Sequence, residues 1–182
     1  MFRKVLVAAA ASGCALAAVA AGVQAPAAQA ATSPTTTVTF SINAGALSIT
    51  APATASLGSG QPGDTIGPTA IGNVVVTDAR ATLGGSWTAT VASTDWTTGG
   101  GTTAETIPAS NVTYAPGTPA KTGIVTLTPT AVTLSSSKAQ AVVAASVIVG
   151  NNTATWNPAL TVNVPAAAVT GTYTATLTHS VA

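Results

Sequence analysis

The clearest pattern in the chain lies at its C-terminal end, where apolar and hydroxyl residues alternate one for one. Between Gly171 and Val181, residues Tyr173, Ala175, Leu177, His179 and Val181 share one face, and Thr172, Thr174, Thr176, Thr178 and Ser180 share the other. Successive side chains of a strand point to opposite sides, so this period predicts a half-buried β-strand. Trp156–Pro165 reads as a preceding strand, closed by Pro165, which cannot donate to a ladder, and joined to the next by an Ala-rich turn. The same alternation of Thr outward and aliphatic inward recurs upstream. It predicts a strand at Thr36–Ile42 with Val38, Phe40 and Ile42 inward, a short one at Leu47–Ile49, and another at Ile71–Thr77. Ser86–Val91 follows, with Trp87, Ala89 and Val91 on a shared face, then Asn111–Tyr114, Ile124–Leu127 and Val132–Leu134. Ala139–Val149 starts Ala-rich and ends in Val147-Ile148-Val149, which predicts a bulged strand buried on both faces. Residues 58–68, and Gly99-Gly100-Gly101, read as loops from their Gly and Pro content. No helical period is sustained beyond residue 31. The class predicted is all-β, one antiparallel β-sandwich over residues 31–182, Ig-like or jelly-roll-like.

The beginning of the chain follows a different rule. Arg3 and Lys4 precede an uncharged apolar run from Val5 to Val23, and Ala28-Gln29-Ala30 has the small-x-small form of a signal-peptidase site. Residues 1–30 therefore read as a secretory leader, with the mature chain starting at Ala31. Cys14 falls inside the apolar run, with Ala11 where a lipoprotein site carries Leu, and reads as part of the leader. The mature chain has no Cys, so an exported domain must be held by its core alone, which about 150 residues suffice to build. No later apolar run is long enough for a membrane span, so no stable span is expected after cleavage.

Removing the leader leaves Arg80, Lys121 and Lys138 against Asp64, Asp78, Asp95 and Glu105, a formal charge of −1. Nucleic acid and anionic lipid want clustered Lys and Arg, so neither is an expected partner. Catalytic chemistry is equally thin. His179 is the single histidine and shares the apolar face with Leu177 and Val181, which predicts a structural role. One His and no Cys cannot supply the three or four ligands of a zinc site. Asp95 and Glu105 are the obvious pair for glycoside hydrolysis, and Asp64 sits in a Gly-rich loop that could help hold Ca²⁺, but neither has a supporting motif. The expectation is no catalytic residue, no metal and no cofactor.

Aromatic residues carry what recognition signal remains. Trp87 has inward phase, whereas Trp96 and Trp156 stand at predicted strand ends and Tyr114 closes a short strand. An aromatic ring at a loop edge stacks on sugars or docks partners, making Trp96, Trp156 and Tyr114 the candidate binding residues.

Three stretches resemble a known family. They are Gly85-Ser86-Trp87-Thr88-Ala89-Thr90-Val91, Ile107-Pro108-Ala109-Ser110-Asn111-Val112-Thr113-Tyr114, and Val164-Pro165 with Gly171-Thr172-Tyr173-Thr174-Ala175-Thr176-Leu177-Thr178. Together they are similar to the WxL domain of Gram-positive bacteria, whose members are exported β-rich proteins held non-covalently on the cell wall. Trp87-Thr88-Ala89 stands at the first Trp-x-Leu motif with Ala for Leu, and His179-Ser180-Val181 at the second with His for Trp and Val for Leu. The resemblance marks Trp87, Ala89, Tyr173, His179 and Val181 as family-motif positions. It implies a secreted, wall-associated, non-enzymatic protein with peptidoglycan, another envelope glycan or other surface proteins as partners. The alternative, from the uncharged Thr-rich strands, is a self-assembling structural subunit of the envelope such as a coat, fimbrial or surface-layer-like protein.

Overall fold

The computed structural model describes residues 34–182; the expected leader, its cleavage site and Cys14 lie outside the described residues. In chain order the strands are β1 (Leu47–Thr50), β2 (Thr65–Ala70), β3 (Val74–Asp78), β4 (Leu83–Ser93), β5 (Trp96–Thr97) and β6 (Thr106–Ile107). They continue as β7 (Val112–Ala115), β8 (Ala120–Pro129), β9 (Val132–Thr133), β10 (Gln140–Trp156), β11 (Ala159–Asn163) and β12 (Leu177–Val181). Two 3₁₀ turns, at Thr103–Glu105 and Ala109–Asn111, are the helical elements among the described residues. All pairings between the strands are antiparallel, and the protein is an all-β sandwich.

The larger sheet is built on β10, which at 17 residues is long enough to take several partners in succession. Along one edge it pairs with β4, from Gln140↔Val91 to Val149↔Leu83, and then with β3, from Asn152↔Asp78 to Trp156↔Val74. Strands β3 and β4 thus lie end to end as one interrupted strand. On their far side β1 covers β3 and β12 covers β4. The opposite edge of β10 carries β8, from Val143↔Pro129 to Thr155↔Ala120. Beyond β8 there is no further strand among the described residues. The smaller sheet has the order β2-β11-β7-β9, and β5 with β6 makes a separate two-stranded ribbon.

The core fills from both sheets. Val74, Val76, Trp87, Ala89, Val91, Val142, Val143, Ile148 and Trp156 come from the larger sheet, and Val112, Tyr114, Leu160 and Val162 from the smaller. The predicted face of β4 holds: Trp87, Ala89 and Val91 are buried, while the Thr between them are not; on β7, Val112 and Tyr114 are buried. Strand β10 is bulged as expected, with adjacent Val142 and Val143 both fully buried, but it is not buried on both faces: Ala141, Ala144, Ser146, Val147 and Val149 are exposed, because no layer covers the outer face of this sheet among the described residues. At a second irregularity Val147 takes φ 53°, a conformation disfavoured for a β-branched residue, and the chain beyond it turns Ile148 inward and Val149 outward.

Four further expectations are corrected. Residues 34–46 form no strand, and Val38, Phe40 and Ile42 point to solvent. Alternation is a property of the chain alone, whereas a strand needs a ladder partner about 4.8 Å away, and Thr36–Ile42 has none among the described residues. Thr65–Pro68, expected as loop, belongs to β2, because Pro68 sits on an edge strand where a missing N–H is tolerated. Within the final alternating run only Leu177–Val181 forms a strand, with an isolated bridge at Thr174, although the alternation of half-buried and exposed residues begins at Tyr173. Finally, β11 and β12 do not pair: the Ala-rich link carries the chain from the smaller sheet to the larger.

Candidate functional site

The two-residue strand β5 exists because Trp96 finds Ile107 and Thr97 finds Thr106 across the ribbon. On the other side of Thr97 the 171–176 segment is tied down by a reciprocal pair, Thr97 N–H to Thr174 O and Thr174 N–H to Thr97 O, both 3.0 Å. Tyr173 is fixed at its tip, its hydroxyl donating to Val169 O at 3.0 Å with Ala104 O at 3.2 Å. These ties leave a cleft beside Trp96. One part, about 590 Å³, has Ile66, Ile107, Val162 and Val164 at its base and residues 55–62 and 168–174 along its sides. The adjoining part, about 320 Å³, reaches past Pro52 and Ile71 to Leu177 and His179. Trp96, Tyr173, Leu57 and Thr174 line both parts. Among the described residues, neither is lined by Asp, Glu, Lys or Arg. The Trp96 indole N–H is buried without an acceptor among the described residues.

The candidate aromatic residues divide. Trp96 lies at the cleft, but Trp156 is 2% exposed and Tyr114 0%, so neither can meet a ligand from outside. The expectation of surface anchors at those two positions is corrected: Trp156 ends β10 on its inward phase, and Tyr114 is the inward residue of β7 between β11 and β9. They stack their polar tips into a relay instead. Trp156 Nε1 donates to Tyr114 Oη at 2.9 Å, and Tyr114 Oη lies 3.2 Å from His179 Nε2. Burial raises the Tyr114 hydroxyl to about 12 against the opposing hydrogen bond from Trp156, and burial lowers His179. The arrangement therefore favours a neutral imidazole accepting the Tyr114 proton at Nε2.

Of the positions singled out by the resemblance, four lie on two paired strands. Trp87-Thr88-Ala89 on β4 and His179-Ser180-Val181 on β12 are neighbours, with Val181↔Ala89 and His179↔Val91 in register. Thr88 and Ala182 close the ladder, Thr88 N–H to Ala182 O at 2.7 Å and Ala182 N–H to Thr88 O at 3.2 Å. Tyr173 stands apart on the cleft wall. Trp87 is core, its Nε1 donating to Asn152 Oδ1 at 3.3 Å.

All four carboxylates of the described chain are engaged in local structure. Asp64 Oδ2 accepts from Gln61 N–H at 2.7 Å, Asp95 Oδ1 from Ala109 N–H at 2.8 Å, and Glu105 Oε2 from Thr102 N–H at 3.0 Å. Hydrogen bonds from Thr102 hold the Glu105 carboxyl below its ordinary range. Asp78 is buried and meets Arg80 twice, Nε to Oδ1 at 2.9 Å and Nη2 to Oδ2 at 3.0 Å, with Asn152 Nδ2 at 3.3 Å from Oδ2. The Arg80 hydrogen bond lowers the Asp78 carboxyl against the opposing effect of burial. The Asp78–Arg80 network was not anticipated from the sequence; an acid two residues before a base at a strand end was its available signal. Among the described residues no three His, Cys, Asp or Glu cluster to hold a metal, and no helix is long and apolar enough to cross a membrane.

No family model, curated protein or solved structure matches this chain.

Proposed function

We propose that this is an exported, non-catalytic surface protein that holds neutral cell-wall glycan in the cleft beside Trp96, in keeping with its resemblance to the WxL domain. One observation carries the reading: the cleft offers aromatic rings, Thr and Ser hydroxyls and backbone groups, and no charged side chain. Aromatic faces stack on the apolar sides of sugar rings, and hydroxyls and amides satisfy their polar edges. Other surface proteins are the secondary class of partner.

Co-sedimentation with purified peptidoglycan tests this at low and high salt. Binding should change little with salt, because no ion pair contributes to it. Trp96→Ala should weaken it by about 5- to 30-fold, the effect of truncating an aromatic contact worth about 1–2 kcal/mol. Binding lost at high salt, or untouched by Trp96→Ala, would refute the cleft as the glycan site.

A further inference from the structure

Two surfaces have no partner among the described residues, and their chemistry matches. The first is Thr36–Ile42, where Val38, Phe40 and Ile42 are 84%, 86% and 79% exposed. It carries the alternation of a strand and no charge, yet is paired with no strand among the described residues. The second lies on the outer face of the larger sheet. Val149 stands opposite Leu83 on one neighbouring strand and Ile124 on the other, forming one apolar row across β4, β10 and β8. Leu83 is 86% exposed, Ile124 61% and Val149 42%, with Val147 beside them. The row stops at β8, whose far edge has no strand against it among the described residues.

We propose that Thr36–Ile42 of one copy adds as a strand to the open edge of β8 in a second copy, setting Val38, Phe40 and Ile42 beside Ile124 and continuing the row. Strand addition supplies main-chain hydrogen bonds, and the alternate side chains supply the apolar contact. Seven residues span about 23 Å, within the roughly 33 Å length of a ten-residue strand.

Within one copy Thr36–Ile42 is not laddered to β8 or to any other described strand, and the chain just beyond it is pinned at the end of β3, Gly45 N–H donating to Ala79 O at 2.8 Å and Ala79 N–H to Ala46 O at 2.9 Å. Both surfaces are thus left open in a single copy, and a second copy supplies the missing member of each. Donor and acceptor are different surfaces, which makes the contact head-to-tail and capable of repeating.

The edge also has a guard. Lys121, the one charged residue of β8, donates from Nζ to Val125 O along its own strand. A lysine on an edge strand discourages pairing, so it competes with the added strand.

Sedimentation velocity over a concentration series tests the proposal on the exported protein, its start verified by intact mass. Wild type should associate with rising concentration, and Phe40→Asp should weaken association by roughly 10- to 100-fold, the loss of one buried Phe. Ile124→Asp should do the same from the acceptor side. Neither residue is buried, so both variants should fold with the wild-type circular dichroism spectrum. Mixed together, the two should form a 1:1 pair, since Phe40→Asp leaves an intact acceptor and Ile124→Asp an intact donor. Lys121→Ala should strengthen wild-type association. A monomeric wild type at every concentration, or association indifferent to Phe40→Asp, overturns the proposal. Peptidoglycan binding by monomeric Phe40→Asp is a separate readout, so this proposal and the glycan reading can fail independently.

Discussion

Replacing Tyr114 by Phe tests the buried relay with a single oxygen. The substitution keeps the ring among Val112, Trp156 and Leu160 and removes the acceptor that Trp156 Nε1 meets at 2.9 Å. Trp156 is 2% exposed, so its indole N–H is left without water or partner. An orphaned buried donor costs about 1–3 kcal/mol. His179 loses its contact too, but is half-buried and lies on the cleft wall, where water can replace it. Phe is easier to bury than Tyr, which offsets part of the loss, leaving about 2 kcal/mol net. For a domain of about 150 residues that is a fall in Tm of roughly 4–8 °C, measurable by calorimetry and by urea unfolding. The control is a double-mutant cycle with Trp156→Phe, which removes the donor. In that background Tyr114→Phe should cost at least about 1 kcal/mol less. A cost below about 0.5 kcal/mol in the wild-type background, or equal costs in both, would show that the Trp156–Tyr114 bond does not stabilise the fold.

The other two predictions concern ionisation. Asp78→Asn should destabilise by about 2–3 kcal/mol, less than a fully buried pair loses because Arg80 keeps 31% of its side chain exposed to water. It should also remove an acid limb: the folded Asp78 pKa is below 3.8, so its contribution is present above that pH and disappears as pH falls through the folded value, which urea titrations at pH 2–5 would detect. The folded His179 pKa lies below 6.5, so the unfolded chain takes up the proton first and stability should decline as pH drops below 6.5 until the folded value is passed. His179→Gln should flatten that slope, and an unchanged slope would assign it to another group.

What the sequence disclosed was direction, and what it withheld was partnership. Alternation placed Trp87, Ala89 and Val91 inward on β4, and Leu177, His179 and Val181 on the half-buried face of β12, because a side chain's face follows from backbone geometry alone. The identical period at Thr36–Ile42 misled, since nothing local records whether another strand lies alongside. Trp156 and Tyr114 were read as edge residues from their nearness to Asn157-Pro158 and to a loop, yet the facing sheet closes over both. The cleft was legible in part. Trp96 was found from its flanking residues, but the opposite wall around Tyr173 depends on a bridge between residues 97 and 174 that no periodicity announces.

The position of β10 along the chain bears on how the protein comes to exist. Residues 83–93 and 120–129 are made first and have no strand to join until Gln140–Trp156 arrives between them. A chain emerging N-terminus first therefore spends most of its synthesis with two long strands and no template, then closes the larger sheet in one late step. Non-local pairing of this kind is slow to nucleate. Until then these strands are left uncovered, the stage at which a holding chaperone has the most to do.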